Sequence, residues 1–325
     1  LHRAYHALPK VFTNSAGQPT GAVYGFASML LKVIEDLKPD FMAVAFDERG
    51  PTFRHVEYVD YKKGRPEMDS ELVTQVPLVR QLLTELQVPF FSLQGFEGDD
   101  IIASLNRQAA RLAPHLSESP RDSKRVGHLI EPSGSDMAGG RGEKHSHLKT
   151  FIVTGDMDML QLVDQDTFVY APKKGISEII TYDPQVVKET QGLNPSQITD
   201  YKGLRGDASD RIPGVRGIGE KTALALLQEF NSLEEIYQNL GKVEPKVAKK
   251  LAEDAEAAAL SKKLATVVPD VPITLELDKC RFRARDKVKM AEVLRSFGFK
   301  SLAKRLVPEE NFTKGVPSAE QMRFV

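Results

Sequence analysis

Residues 41–47 read FMAVAFD, six apolar residues in a row closed by an acid. An unbroken apolar run of this length is the pattern of a strand in a parallel sheet covered on both faces. Working upstream, Phe26, Met29, Leu30, Val33 and Leu37 recur at helical spacing and form one amphipathic stripe that ends before Pro39. Downstream, Leu72, Val76, Val79, Leu83 and Leu86 repeat that spacing, and VPFFSL (88–93) offers a second strand. A further helix runs through Ile101, Leu105 and Leu112, and FIVTGD (151–156) supplies a third strand. Strands alternating with helices predict an α/β domain with a parallel sheet, whose ligands collect at the carboxyl ends of the strands.

At 325 residues the chain is long enough for two domains of about 150 residues each. Hydrophobic residues at 41% and charged residues at 27% exclude the disordered and collagenous classes. No apolar run approaches the roughly 18 residues of a membrane helix. A lone Cys280 builds neither an internal disulfide nor a cysteine-based zinc site, so the chain suits a reducing compartment such as the cytoplasm. The formal charge of -1 gives no global basic field, and nucleic-acid binding would have to rest on local patches. Because the chain opens on Leu1, inside helical text, a preceding segment is expected.

Residues 113–148 lose all periodicity and turn rich in Ser, Gly, Pro and mixed charge, as in a surface insertion whose His115, His128, His145 and His147 are solvated loop histidines. After Asn194 the text turns helical, through Ala223, Leu226, Leu227 and Phe230, then Leu233, Ile236 and Leu240. The expected organisation is an α/β domain over 1–192, a helical domain over 193–307, and a linker or tail over 308–325.

Acids gather at the predicted strand ends and helix starts: Asp47; Glu97, Asp99 and Asp100 in GFEGDD; Asp156 and Asp158 in TGDMD; Asp207 and Asp210 in GDASD. Singly, each reads as helix capping or turn chemistry. Converging on one sheet edge they would repel one another unless cations neutralised them, and hard oxygen donors suit Mg²⁺ or Mn²⁺. Two such ions about 3.5–4 Å apart are the apparatus of in-line phosphodiester cleavage.

A second signal is GVRGIGEKTA (214–223), in which Gly214, Gly217 and Gly219 allow a tight turn and Lys221 opens a helix. Exposed amides at a helix start form a ready phosphate site; the competing reading is a plain glycine turn between two helices. A third is FRHVEYVDYKKGR (53–65), which interleaves Arg54, Lys62, Lys63 and Arg65 with Tyr58 and Tyr61. Such text can hold phosphates and stack unpaired bases, or be a solvated helix face.

The segments LHRAYHAL, AVYGFA, FDERGPTFRHVEYVDYKKGR, GFEGDDIIAS, IVTGDMDMLQLV and LRGDASDRIPGVRGIGEKTA occur in an order that resembles the 5′-nuclease (5′-3′ exonuclease) domain of bacterial DNA polymerase I, related to flap endonucleases. The resemblance covers most of the chain outside the insertion and tail. It implies a resolvase-like parallel-sheet domain with a helical arch, followed by a helical domain of helix-hairpin-helix type that grips duplex DNA. It implies Asp47, Glu97 and Asp99, with Asp100 acting through water, at a first metal, and Asp156, Asp158, Asp207 and Asp210 at a second. Arg54, Lys62 and Arg65 match the arch and its base, where the scissile phosphate is steered. Arg3 and Tyr5 match positions near an unpaired 5′ strand, with Tyr61 and Lys63 on the same DNA-facing text. Gly214, Arg216, Gly217, Gly219 and Lys221 match the DNA-binding hairpin, which in the family also takes a monovalent cation. The resemblance implies the nucleoid of a bacterium as the location, or an organelle if the source is a eukaryote.

Two departures are expected to matter. The family begins with a strand ending in Val-Asp-Gly, whose aspartate binds the first metal and which would precede Leu1. The insertion at 113–148 is longer than the family's link. The implied function is a structure-specific, Mg²⁺- or Mn²⁺-dependent 5′ nuclease acting on flaps, nicks or RNA-DNA primers, fused to or partnered with a DNA polymerase. The alternative is a catalytically impaired junction-binding module. A phosphatase or sugar transferase using Asp156 and Asp158 would leave the glycine hairpin and the basic segment unexplained.

Overall fold

The structure, a computed structural model, describes residues 5–6, 12–13, 17–116, 148–174, 178–282 and 287–307. Arg3, most of the expected insertion with its histidine side chains, and the tail lie outside the described residues.

Helix α1 (Gly21–Leu37) buries Val23, Ala27, Leu30, Leu31, Val33 and Ile34, so of the predicted stripe Leu30 and Val33 are buried while Phe26, Met29 and Leu37 are half-buried. The helix ends where Lys38 adopts the left-handed conformation (φ 46°) and donates its N–H to Ile34 O. Pro39, with no N–H to offer, prevents continuation. In the FMAVAF run only β1 (Val44–Ala45) forms ladder pairs. Helix α2 (Phe53–Glu57) and helix α3 (Ser70–Glu85, capped by Asp69) lead to β2 (Phe90–Phe91), which pairs with β1 in parallel. Helix α4 (Gly98–Leu116) runs four residues past its expected end. Next come β3 (Thr150–Val153), a 3-10 turn (Met157–Leu162), β4 (Thr167–Lys174) and β5 (Glu178–Tyr182). Strand β4 pairs in parallel with β3 and antiparallel with β5.

The α/β expectation therefore holds as two small sheets among the described residues, β1-β2 and β3-β4-β5, rather than as one. The apolar run at 41–46 is correspondingly half-buried, with Ala43 exposed, not covered on both faces. The expected arch segment is helical only over Phe53–Glu57 and then turns through 59–64. Strands β4 and β5 add to the three strands expected, in the β-branched and aromatic text TFVYA and EIITY.

The second half is helical: α5 (Pro184–Gln191), α6 (Ile198–Arg205), α7 (Glu220–Phe230), α8 (Leu233–Gln238), α9 (Pro245–Glu253) and α10 (Ala255–Ala265). One core runs from Ile152 and Val169 through Leu160 and Leu204 to Leu227, Ile236 and Leu251, so the β3-β5 sheet shares its interior with these helices. Helices α11 (Lys287–Ser296) and α12 (Lys300–Leu306) return to the beginning of the chain: Met290, Leu294, Phe299 and Leu302 pack with Val23, Leu31, Val79 and Leu83 of α1 and α3. A boundary at 193 thus divides the chain in sequence, while in space residues 287–307 complete the core of its first part. Periodicity marks helices but carries no information on which partner a helix packs against.

The connector between α10 and α11 is held by a polar row on α4. Asp100 accepts from Val268 N at 2.8 Å. Ser104 donates to Val268 O at 3.1 Å and accepts from Val271 N at 2.9 Å. Gln108 donates to Ile273 O at 3.0 Å and accepts from Leu275 N at 2.8 Å. Residues four apart lie on one helix face, so this row supplies the partners that an extended backbone otherwise finds in a sheet.

Candidate active site

Asp47 follows β1 and its Oδ1 accepts the N–H of Gly98 at 2.7 Å, fixing the start of α4 against the end of the strand. The first turn of α4 then places Asp99 beside Asp47 and Asp156. Burial first, then the charges of Asp156, Asp47 and Glu97, pushes the Asp99 carboxyl up to about 7. Three acids crowding a fourth are what a hard cation would relieve.

Asp156 caps the 3-10 turn, its Oδ1 accepting from Asp158 N at 2.9 Å. Lys202, in the last turn of α6, bridges Asp158 and Asp207. Burial lowers the Lys202 affinity for its proton, but the two carboxylates outweigh it and the net direction is up. Asp207 lies at about 2, because Lys202 and the N–H and hydroxyl of Ser209 outweigh its burial. Asp158 moves the other way: burial dominates, with Asp156 and Asp207 adding to it against Lys202.

Between the two groups of acids stands the turn after α2. Lys62, held at φ 52°, donates to Glu97 Oε2 at 2.9 Å and lies 3.9 Å from Asp210. The Tyr61 hydroxyl donates toward the same Glu97 oxygen at 3.2 Å and toward Asp210 at 3.3 Å. Burial and these two carboxylates raise its pKa, so it remains a donor. Arg65 pairs with Asp210 and donates to Ser209 O at 3.2 Å.

Five sequence-predicted residues are placed otherwise. Asp100 is fully buried, with both oxygens taken: Arg54 donates to each at 2.8 Å, and Val268 N and Glu97 N add one bond apiece. No lone pair is left for a metal or its water. Arg54, 2% exposed, also donates to Leu264 O and Thr266 O, and its Nη1 lies 3.6 Å from Glu97, so its guanidinium is enclosed by protein partners. Tyr61 is buried with Ile212, Leu264 and Ala265, so its ring is closed to base stacking. Tyr5 is buried against Ala22 and Leu72 and bonds Glu71. Lys63 is exposed and pairs with Asp60 in its own turn.

Helices α6 and α7 are joined by the glycine hairpin. A Cβ on Gly214 (φ 64°) would lie 2.3 Å from Gly206 N, so the backbones of the two arms touch. Gly219 differs: its φ is not positive and a Cβ would meet nothing within 4 Å. No side chain caps α7, and Lys221 in its first turn is exposed. Arg216 is exposed and paired at the surface with Asp254 through Nη2 at 2.8 Å.

The acids that come together are hard oxygen donors drawn from four separate segments, and that chemistry fits a divalent cation. Among the described residues no three of them yet close into a metal-binding group, and Lys62 and Lys202 stand between them. Lys202, Lys250 and Asp254 stand in no motif, because each is marked only by what it reaches in space: Lys202 by Asp158 and Asp207, Lys250 by Gly217 O, and Asp254 by Arg216.

Residues 1–117 match the family described as 5′-3′ exonuclease, N-terminal resolvase-like domain, and residues 193–288 match 5′-3′ exonuclease, C-terminal SAM fold. DNA polymerase I of Caldicellulosiruptor bescii is 39% identical over 327 residues, covering 100% of this chain and 33% of the relative. DNA polymerase I of Bacillus subtilis is 37% identical over 306 residues, covering 94% of this chain and 31% of the relative. The chain spans about a third of the length of the curated relatives it matches. Among solved structures, T5 5′-exonuclease with divalent metal ions (zinc) bound is similar in fold at a TM-score of 0.57, over 93% of each chain and at 16% identity. The catalytic core of Rad2 in complex with DNA substrate gives 0.51 over 93% of this chain and 88% of that one, at 15% identity.

Proposed function

Because the chain belongs to the 5′-3′ exonuclease family, we propose that it is a divalent-metal-dependent 5′ nuclease that hydrolyses DNA at flaps and nicks. The observation that carries this reading is the convergence of Asp47, Glu97, Asp99 and Asp156 next to Asp158, Asp207 and Asp210, with a helix-hairpin-helix beside them. Bound divalent cations, Mg²⁺ or Mn²⁺, would supply Lewis-acid activation of water and of the phosphodiester. Asp47, Glu97 and Asp99 would hold one, and Asp158, Asp207 and Asp210 a second, with Asp156, which the resemblance puts at the second, facing both Asp99 and Asp158.

The chain's own groups have separate tasks. Lys62 pairs with Glu97 and Arg65 with Asp210, which puts both cations at the acids where a scissile phosphate would approach. Tyr61 ties the two carboxylates together from below. The hairpin offers the uncapped amides of α7 and the open face at Gly219 to a phosphate of the duplex, and such contacts position without reading sequence. A longer protein containing this chain would remove displaced strands or RNA primers beside a polymerase.

The test is cleavage of a 5′-labelled flap duplex with Mg²⁺, Mn²⁺ or EDTA. Cutting near the junction with either ion and none in EDTA is expected. Replacing Asp156 and Asp158 together with Ala should abolish cutting while flap binding persists; retained cutting would sink the assignment of these acids. Binding without cutting under every condition would favour the junction-binding alternative.

A further inference from the structure

We propose that Asp254, with Lys250 one turn before it, is a positioning residue for the hairpin: the end of α9 holds the turn at 215–219 in the shape that leaves its free amides outward. The inference rests on the hairpin being a phosphate contact, as read above.

The two side chains grip adjacent residues of the turn with opposite polarity. Asp254 Oδ2 accepts the backbone N–H of Arg216 at 2.8 Å and, with Oδ1, takes the guanidinium at 2.8 to 3.1 Å. Lys250 Nζ donates to Gly217 O at 2.9 Å and lies across the glycine, where a Cβ would stand 2.8 Å from that nitrogen. Val215 N and Ile218 N are satisfied within the hairpin, by Leu204 O and Val215 O. Gly217 N and Gly219 N have no acceptor among the described residues. Fixing the Arg216 amide and the Gly217 carbonyl therefore fixes the orientation of the donors left over.

The anchor is itself rigid. Asp254 is the corner between α9 and α10, and the preceding turn is held by buried Leu251, whose carbonyl accepts from Tyr237 Oη at 2.9 Å. The Asp254 side chain is 10% exposed beneath an Arg216 side chain that is 84% exposed. The acid is thus roofed by its own counter-ion. A turn locked before binding loses little conformational freedom when it binds, which is the physical gain from positioning.

A simple charge argument makes the opposite prediction. Removing a carboxylate near a phosphate site should tighten binding and steepen its salt dependence. The experiment compares the 325-residue chain with its Asp254→Ala, Asp254→Asn and Lys221→Glu variants, binding a nicked duplex with a short 5′ flap of mixed sequence in EDTA, over a range of salt. Amide exchange across 215–221 is followed in the free protein. We expect both Asp254 variants to bind about tenfold more weakly, a preorganisation effect, with the salt slope unchanged and exchange faster only in the hairpin. Asp254→Asn keeps the side-chain shape and serves if the alanine variant fails to fold. Unchanged or tighter binding by Asp254→Asn, with Lys221→Glu weakened, overturns this inference alone. Unaltered binding by Lys221→Glu overturns the hairpin reading, and this inference with it.

Discussion

Arg54 and Asp100 are the most enclosed ion pair of the site region among the described residues, so neither has water to fall back on. Two bonds of 2.8 Å link them, and both side chains are at most 3% exposed. Removing one partner of a buried pair leaves an uncompensated charge, so Arg54→Met should lower unfolding free energy by about 3–5 kcal/mol in a urea titration. A loss under 1 kcal/mol would mean that the pair opens to solvent. Buried Asp200 pairs at 2.6 Å with half-buried Lys262, between α6 and α10, with a different balance. Burial raises the Asp200 pKa in spite of Lys262, which is also engaged by Glu234. The sign follows: the folded state binds the Asp200 proton more tightly than the unfolded state, so its contribution to stability falls as pH rises from the ordinary carboxylate value. The stability difference between Asp200→Asn and the parent should therefore shift in favour of the variant from pH 4 to pH 7. A constant difference over that window would show that Asp200 titrates normally. From the sequence, the acids near the site were legible as types, but their partners were not: Arg54 and Asp100 are 46 residues apart and looked like site residues.

Among elements, the hairpin between α6 and α7 separates a glycine that the fold needs from one that it does not. Gly214→Ala would drive a Cβ into backbone 2.3 Å away at a left-handed φ, where no side chain can yield. More than about 2 kcal/mol of destabilisation is expected. Gly219→Ala meets open space at the N-cap of α7 and should lose about 1 kcal/mol or less. If a phosphate approaches there, Gly219→Ala should nevertheless weaken binding of a flap duplex. Thermal unfolding and duplex titration of the two variants separate the roles, and normal binding by Gly219→Ala would remove Gly219 from the contact. The glycine spacing was readable from the sequence. The division of labour between the glycines was not, because it depends on Gly206 approaching from the other arm.

For the whole molecule, the decisive contact is the return of α11 and α12 to α1 and α3. Ending the chain at Phe282 would expose Val23, Leu31, Val79 and Leu83 to water. Each fully buried aliphatic side chain is worth about 1.5–3 kcal/mol, so cooperative unfolding should be lost and dye binding to exposed apolar surface should appear. A shortened chain with a sharp thermal transition near that of the parent would contradict this. Local pattern alone determined the alternation of strands and helices, the helical character after Asn194, and the order of acids and glycines, since each follows from spacing within a dozen residues. Only the tertiary structure decided that the strands form two small sheets, that Asp100 and Arg54 serve each other, that Tyr61 faces inward, and that Lys202 joins Asp158 to Asp207. Those outcomes depend on which distant segment reaches a given side chain first. Burial and charge pairing settle that contest across the folded chain, and spacing along the sequence does not encode it.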